Sequence, residues 1–548
     1  MHIINIDRIT INHAGRVIYR DLSWAIGDRE RIGLVGPNGS GKSSLLRAVA
    51  EQITPDAGSV VRMRGIRVGF LTQDVSLPSG RTVLEEALTP PAPLAAVESQ
   101  LTRIEARLGD PAVYGNPDRL AAALTQQERL LEEYERLGGS AHTTRVRALL
   151  VRLGFSPEQF DLLTDNLSGG QKKLVALIKL AMEAPEVLLL DEPDNHLDLN
   201  AKRQLEEFIK TYPGTVIIVS HDRYLLDEAA TEIAELSDGK LTLYKGNYTA
   251  YTTERELRRL RQQQMYTAQQ KEIMRIEEAI KRFEQWARIV VNERHFKQAR
   301  SRRKMLERME ANGEIIDRVI ERRRMDLQIQ GGRGSQKALE VNNLSMAFEQ
   351  NLIFVDLNFL IRHGERVGLI GPNGAGKSVL FRIIQGQYPP SEGIIKVGPS
   401  TRIGYYSQEH QTLATWLEST PIALVRDLAP ISEGDAVAFL NKFLFSYGQC
   451  SQPIRTLSGG ERSRLQLAAL MLQNPNLLLL DEPTNNLDIQ SVEVLEKALD
   501  EFEGAVLTIS HDRYFLDQTV DRLIELRDGV MKTFEGGYTD YLAAQGQP

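Results

Sequence analysis

Arg31-Ile32-Gly33-Leu34-Val35 runs directly into Gly36-Pro37-Asn38-Gly39-Ser40-Gly41-Lys42-Ser43, an apolar strand feeding a glycine-rich loop. The same order returns as Arg366-Val367-Gly368-Leu369-Ile370 and Gly371-Pro372-Asn373-Gly374-Ala375-Gly376-Lys377-Ser378, at an offset of 335. Leu45-Leu46-Arg47-Ala48-Val49 and Leu380-Phe381-Arg382-Ile383-Ile384 follow as amphipathic helix. In G-x-x-x-x-G-K-[ST] the glycines let backbone N–H groups curl round phosphate oxygens at a helix N-terminus. Lys42 and Lys377 would neutralise β- and γ-phosphates, and Ser43 and Ser378 would ligate Mg2+. The predicted phosphate cradles include the next residue in each copy, Ser44 and Val379. Two copies in full strand–loop–helix context make a chance match remote.

Gln73 matches Gln408 at the same offset. Beyond them the offset drops to 290: Leu167-Ser168-Gly169-Gly170-Gln171 matches Leu457-Ser458-Gly459-Gly460-Glu461, and Asp191-Glu192-Pro193 matches Asp481-Glu482-Pro483. Ser220-His221-Asp222-Arg223-Tyr224 matches Ser510-His511-Asp512-Arg513-Tyr514 likewise. The chain is therefore a duplicated domain. Its first copy carries 45 extra residues between Gln73 and Leu167, an insertion centred on about 85–150. Leu101, Ile104, Leu108, Leu120, Leu124, Leu130 and Leu131 give that stretch a helical apolar spacing, entered through Pro90-Pro91-Ala92-Pro93.

Leu188-Leu189-Leu190 and Leu478-Leu479-Leu480 are buried strands ending in paired acids. Adjacent carboxylates there need a cation or a proton; Asp191 and Asp481 suit Mg2+, and Glu192 and Glu482 suit a general base acting on water. Gln73 and Gln408 join Ser43, Asp191, Ser378 and Asp481 in the predicted metal set. His221 and His511, each after an apolar strand and about 30 residues past the acids, are predicted γ-phosphate sensors. The bland alternative for a lone histidine is a structural or surface role. Ser168, Gly169, Gly170 and Gln171, with Ser458, Gly459, Gly460 and Glu461, open basic-apolar helices and form a second anion site per copy. Nothing within its own copy fills that site, so each copy is expected to complete the other's.

The bulk numbers agree. A chain of 548 residues exceeds one core, and 42% hydrophobic with 25% charged residues is ordinary globular composition. The lone Cys450 excludes an intrachain disulfide and a cysteine metal cluster. No apolar run is long enough to span a bilayer, and the first residues do not read as a signal peptide, so a cytoplasmic location is expected. The net charge of −7 is unevenly spread: residues 254–326 hold 20 Lys/Arg against 13 Asp/Glu, which leaves −14 elsewhere. That stretch is expected to form two long helices turning near Trp286 to Asn292, with Gly331-Gly332-Arg333-Gly334-Ser335 as a flexible joint. Phe283, Trp286 and Phe296 lie among its cations, a composition suited to phosphate backbones and stacked bases.

Taken together the motifs resemble the ABC ATPases and, more narrowly, the ABC-F family. The narrower likeness lies in Asp191-Glu192-Pro193-Asp194-Asn195-His196-Leu197-Asp198 with its partner Asp481 to Asp488, and in Tyr244 to Tyr251 with its echo Phe534 to Tyr541. Phe296-Lys297-Gln298-Ala299-Arg300-Ser301-Arg302-Arg303-Lys304-Met305-Leu306 carries it in the linker. The resemblance implies an α/β fold with two ABC-type P-loop domains in tandem, joined by a coiled-coil-like two-helix linker. It divides the chain into cassette 1 (1–250, with a helical arm), linker (251–330) and cassette 2 (336–548). It further implies ATP and Mg2+ as ligands, ATP hydrolysis, and engagement of ribosomal RNA and P-site tRNA through Arg294, Lys297, Arg300, Arg302, Arg303 and Lys304. A monomer with intramolecular cassette pairing is expected. His13 and Phe348 occupy the adenine-stacking position; His13, Asp194, His196 and Gln171 depart from the second copy, so the two sites are expected to differ in turnover.

Other classes fit less well. A transporter motor would dock membrane domains through the segment between Gln408 and Ser458, which is short. A repair ATPase would carry zinc cysteines or a far longer rod. Ribosome protection against antibiotics uses the same architecture, and Ile289, Val290 and Val291 at the predicted tip are apolar enough to keep it open. A solvated hairpin that only couples the cassettes is the remaining competitor.

Overall fold

A computed structural model describes residues 2–13, 16–290, 293–312, 325–329, 332, 334–348, 351–408 and 411–546. Cassette 1 opens with β1 (His2–His13) and β2 (Arg16–Gly27), then β3 (Arg31–Val35), α1 (Lys42–Val49), β4 (Ala57–Arg62) and β5 (Val68–Leu71). The arm region follows: α2 (Val83–Ala87), α3 (Ala92–Leu108), α4 (Pro111–Tyr114), α5 (Pro117–Arg136) and α6 (Gly139–Arg152). Then come α7 (Gly169–Met182), β6 (Val187–Asp191), α8 (Leu199–Thr211), β7 (Thr215–Val219), α9 (Arg223–Ala229), β8 (Glu232–Ser237) and β9 (Lys240–Lys245). Strand order is β5-β6-β7-β3-β8-β9 in the main sheet and β2-β1-β4 in a smaller antiparallel one.

β3, β6 and β7 are parallel neighbours, and every residue of β6 and β7 is buried. Their unbroken Val/Leu/Ile runs are what a central parallel strand with both faces covered requires. One face packs α1 and the small sheet in a core holding Ile6, Trp24, Leu46 and Leu189; the other packs α7 and α8 through Leu174, Leu190 and Leu205. Placing β3 beside both β7 and β8 brings the first loop, the paired acids and His221 to one sheet edge.

Cassette 2 repeats the plan: β10 (Lys337–Phe348), β11 (Asn351–Arg362), β12 (Arg366–Ile370), α12 (Lys377–Ile384), β13 (Glu392–Val397) and β14 (Ile403–Tyr406). Helices α13 (Pro421–Leu428), α14 (Glu433–Lys442) and α15 (Tyr447–Cys450) stand in place of the longer arm region, and α16 (Gly459–Leu472) is the counterpart of α7. The rest is β15 (Leu477–Asp481), α17 (Ile489–Asp500), β16 (Ala505–Ile509), α18 (Arg513–Thr519), β17 (Arg522–Arg527), β18 (Val530–Glu535) and α19 (Tyr538–Ala544). The sheets are β14-β15-β16-β12-β17-β18 and β11-β10-β13, the same order shifted along the chain. Cys450 is fully buried, in the core with Leu440, Phe443 and Leu465.

The arm is helical as expected, but its buried line differs. Val97, Leu101 and Ile104 of α3 meet Ala123 and Leu130 of α5, whereas Leu124 and Leu131 are exposed. The small Ala123 sets the phase of α5 and carries no weight in an apolar periodicity.

Following cassette 1 in the sequence, residues 244–323 cluster as a unit of their own. Its helices are α10 (Tyr248–Val290), a single run of 43 residues, and α11 (Glu293–Ala311), packed together. Arg303 pairs with Glu284, and the Arg302 guanidinium lies 4.9 Å from the Phe283 ring. The tip side chains Trp286, Ile289, Val290 and Phe296, together with Val291, Asn292, Gly331 and Arg333, lie outside the described residues.

Candidate active site

Gly41 and Gly376 each precede a helix at φ 95°, in the left-handed region, and a Cβ there would stand 2.4 Å from Ile18 and 2.3 Å from Ile353. Only glycine fits. Among the described residues no side chain caps either helix, so the first N–H groups of α1 and α12 are left to an anion. Lys42 Nζ donates to the carbonyls of Gly36 (2.8 Å) and Pro37 (3.2 Å), and Lys377 Nζ to those of Gly371 (2.8 Å) and Pro372 (2.9 Å). Burial pushes both ammonium pKa values down.

At the end of β6, Asp191 is buried and accepts a hydrogen bond from Ser43, while its Oδ1 has no hydrogen-bond partner among the described residues. A hydroxyl beside a carboxylate oxygen with spare lone pairs is a hard-oxygen donor set that fits Mg2+. Among the described residues no three His, Cys, Asp or Glu side chains could hold a metal by themselves.

Glu192 and Glu482 both sit at φ 50°, a left-handed conformation that re-aims each carboxylate as the chain leaves the sheet. Glu192 accepts from Gln73 Nε2 at 2.8 Å and Asn195 Nδ2 at 2.6 Å. Glu482 accepts from the His511 backbone N–H at 3.2 Å, and its Oε1 lies 3.5 Å from His511 Nε2; the His221–Glu192 distance is 3.8 Å. Burial, then the adjacent Asp481 against Lys377, pushes the Glu482 pKa up to about 7; burial and Asp194 raise that of Glu192. Burial and Lys42 bring His221 down to about 3, and burial and Lys377 hold His511 well below its ordinary value. Both imidazoles are thus neutral near pH 7, and neither ring nitrogen of His221 has a partner among the described residues.

The structure brings each loop against the other cassette. Asn373 donates from its backbone to Asp198 Oδ2 at 3.3 Å and from Nδ2 to the His196 carbonyl at 3.1 Å. Reciprocally, Asp488 accepts from the Asn38 backbone, and a Cβ added to Gly460 would lie 3.3 Å from Asn38 Nδ2. Asp198 and Asp488 also cap α8 and α17 through Ala201 and Ser491 at 2.9 Å each. Ser168 and Ser458 cap α7 and α16, and Gln171 and Glu461 reach back to the serine N–H groups at 3.1 and 2.7 Å. The Gln/Glu difference is therefore a neutral against a charged acceptor in one capping box.

Sequence reading did not find the residues that join the cassettes. Arg223 pairs with Glu496 and Arg513 with Glu206; Arg223 lies 3.9 Å from the Tyr514 ring and Arg513 4.1 Å from that of Tyr224. Glu206 and Glu496 share the 290 offset, which is the signal that could have flagged them.

Other predicted residues sit as follows. Phe348 is exposed at the end of β10, edge-on to Tyr388 at 5.7 Å. His13 ends β1, and its side chain lies outside the described residues. Gln408 is part-buried in the turn after β14. Arg294, Lys297, Arg300, Arg302, Arg303 and Lys304 are all exposed on α11. Tyr244–Tyr251 and Phe534–Tyr541 make matching edge contacts at 5.0 Å, an aromatic clasp in each copy.

A family model described as "ABC transporter" matches residues 19–195 and again 354–485, and a second model of that description matches 234–329. ABC transporter F family member 5 of Arabidopsis thaliana is 32% identical over 98% of this chain and 77% of its own length. The energy-dependent translational throttle protein EttA of Escherichia coli (strain K12) is 33% identical over 97% and 94% respectively. Among solved structures, a chain of the complex of archaeal ribosome recycling factor aABCE1 with ribosomal stalk protein aP1 aligns at TM-score 0.58. It covers 98% of this chain and 92% of that one, and at 17% identity it speaks for the fold alone. Among the described residues no helix is long and apolar enough to cross a membrane.

Proposed function

The chain belongs to the ABC-F family of tandem-cassette ABC ATPases, and from that premise we propose that it binds and hydrolyses ATP between its cassettes to modulate translation at the ribosome. The observation that carries the ATPase half is reciprocal: Asn373 meets Asp198, and Asn38 meets Asp488. Each P-loop thereby faces the capping aspartate of the other copy.

In this reading Lys42 and Lys377 move from the loop carbonyls onto β- and γ-phosphates. Ser43 with Asp191, and Ser378 with Asp481, would hold Mg2+, which when bound neutralises charge on the phosphate oxygens. Glu192 and Glu482 orient water and take its proton, and burial makes both carboxylates more basic than an exposed glutamate. Neutral His221 and His511 hydrogen-bond the γ-phosphate. Ser168 and Ser458 meet the same phosphate from the opposite cassette. The exposed cations of α11 would bind ribosomal RNA and P-site tRNA; EttA, named as a translational throttle and similar along nearly the whole chain, supports that half.

The chain with Glu192→Gln and Glu482→Gln should keep ATP bound and co-sediment with ribosomes when ATP is present. Recovery of this variant in the soluble fraction would sink the translation reading.

A further inference from the structure

Asp194 and Lys202 stand where the second copy has Thr484 and Val492. Both differences fall in one buried cluster. Lys202, 7% exposed on the first turn of α8, donates from Nζ to Asp222 Oδ2 at 2.8 Å in its own cassette. The same ammonium donates to the backbone carbonyl of His511 at 2.9 Å in the other cassette. A buried ammonium is tolerated only where anions and acceptors surround it. Asp222 and the buried Asp194 supply the charge, and they hold the Lys202 pKa up against its burial. Arg513 and Arg223 close the cluster through Glu206 and Glu496.

The link to chemistry runs through one residue. The His511 carbonyl takes the Lys202 bond, the His511 N–H donates to Glu482 Oε2, and the His511 ring stands 3.5 Å from Glu482 Oε1. Val492 has no side-chain donor, so the second copy's residue at this position offers the His221 turn no counterpart bond. We propose that Lys202 is a positioning residue acting across the interface: by holding the His511 carbonyl it fixes the turn that sets His511 and Glu482, so closure of cassette 1 licenses hydrolysis in the cassette 2 site. Asp194 is its counter-charge. The inference rests on Glu482 serving as base in that site.

Each site is read alone in the full-length chain, the cassette 2 site in a Glu192→Gln background and the cassette 1 site in a Glu482→Gln background. Lys202→Met should lower kcat of the cassette 2 site about tenfold or more, with KM for ATP within about twofold, since a hydrogen bond from a charged group is removed. Turnover of the cassette 1 site should hold, and Lys202→Arg should restore most of the loss. Asp194→Thr with Lys202→Val installs the second copy's own residues, removes the cation together with one of its two counter-charges, leaves Asp222 facing Arg513 at 3.9 Å, and should reproduce the kcat defect. Equal losses at both sites, or a defect in KM alone, would overturn the proposal in favour of a plain interface contact; unchanged kcat would overturn it outright. Substantial turnover in the Glu192→Gln, Glu482→Gln double variant would instead count against the assignment of the bases, not against Lys202.

Discussion

Glu482, the proposed base of the cassette 2 site, works against the fold. Its pKa is raised, by burial above all, so the folded chain holds a proton up to about pH 7 that the unfolded chain releases near the ordinary carboxylate value. Between those two values the native state binds more protons, so its contribution to stability falls as pH rises and is least above about pH 7. Glu482→Gln removes that penalty. Without nucleotide it should stabilise the chain at pH 8 by on the order of 3 kcal/mol, and the gain should fade toward pH 5. Thermal unfolding at the two pH values checks this; an equal or inverted gain would contradict it. The acids, the lysines and the histidines were legible from the duplicated motifs, because each copy vouches for the other. Asp198, Asp488, Arg223 and Arg513 were not, since no local pattern states which side chain of the other cassette a residue will meet.

Among the elements, α11 separates two kinds of cation. Arg302 and Arg303 also bind the hairpin itself, through Phe283 and Glu284, whereas Arg300 and Lys304 are exposed. Surface pairs of this kind contribute about 0–1 kcal/mol, so all four can be removed without unfolding the hairpin, but only Arg300 and Lys304 give a clean reading. Arg300→Ala with Lys304→Ala should leave ATPase activity in isolation unchanged and weaken ribosome binding. The slope of log affinity against log salt should fall by about 0.7 for each phosphate that the variant no longer neutralises. Parallel loss of ATPase and binding would favour the coupling-hairpin reading. In the arm, helix content was legible and helix phase was not: Leu124 and Leu131 pull the apparent face one residue away from the Ala123–Leu130 line.

For the whole molecule, duplication was readable to the residue, including the 45-residue excess of the first copy. The head-to-tail pairing was inferred only from signature motifs with nothing to fill them; the ion pairs show what holds it. Breaking one partner of a buried pair costs about 3–5 kcal/mol. Arg223→Glu should therefore abolish ATP-driven cassette closure measured by small-angle scattering, and adding Glu496→Arg should recover part of it. A single variant that still closes would show that Arg223 and Glu496 do not hold the pairing. The fold and the candidate nucleotide sites were thus legible in local repetition, while what unites the halves needed three dimensions.

Cys450 has a practical corollary. Its thiol is shut away in the cassette 2 core, and burial also raises its pKa, so it is both inaccessible and un-ionised near neutrality. The wild-type chain should be silent to maleimide while folded. Cysteines introduced at surface positions of the two cassettes would then be the only reactive thiols, and a donor–acceptor dye pair could report closure with no native cysteine replaced.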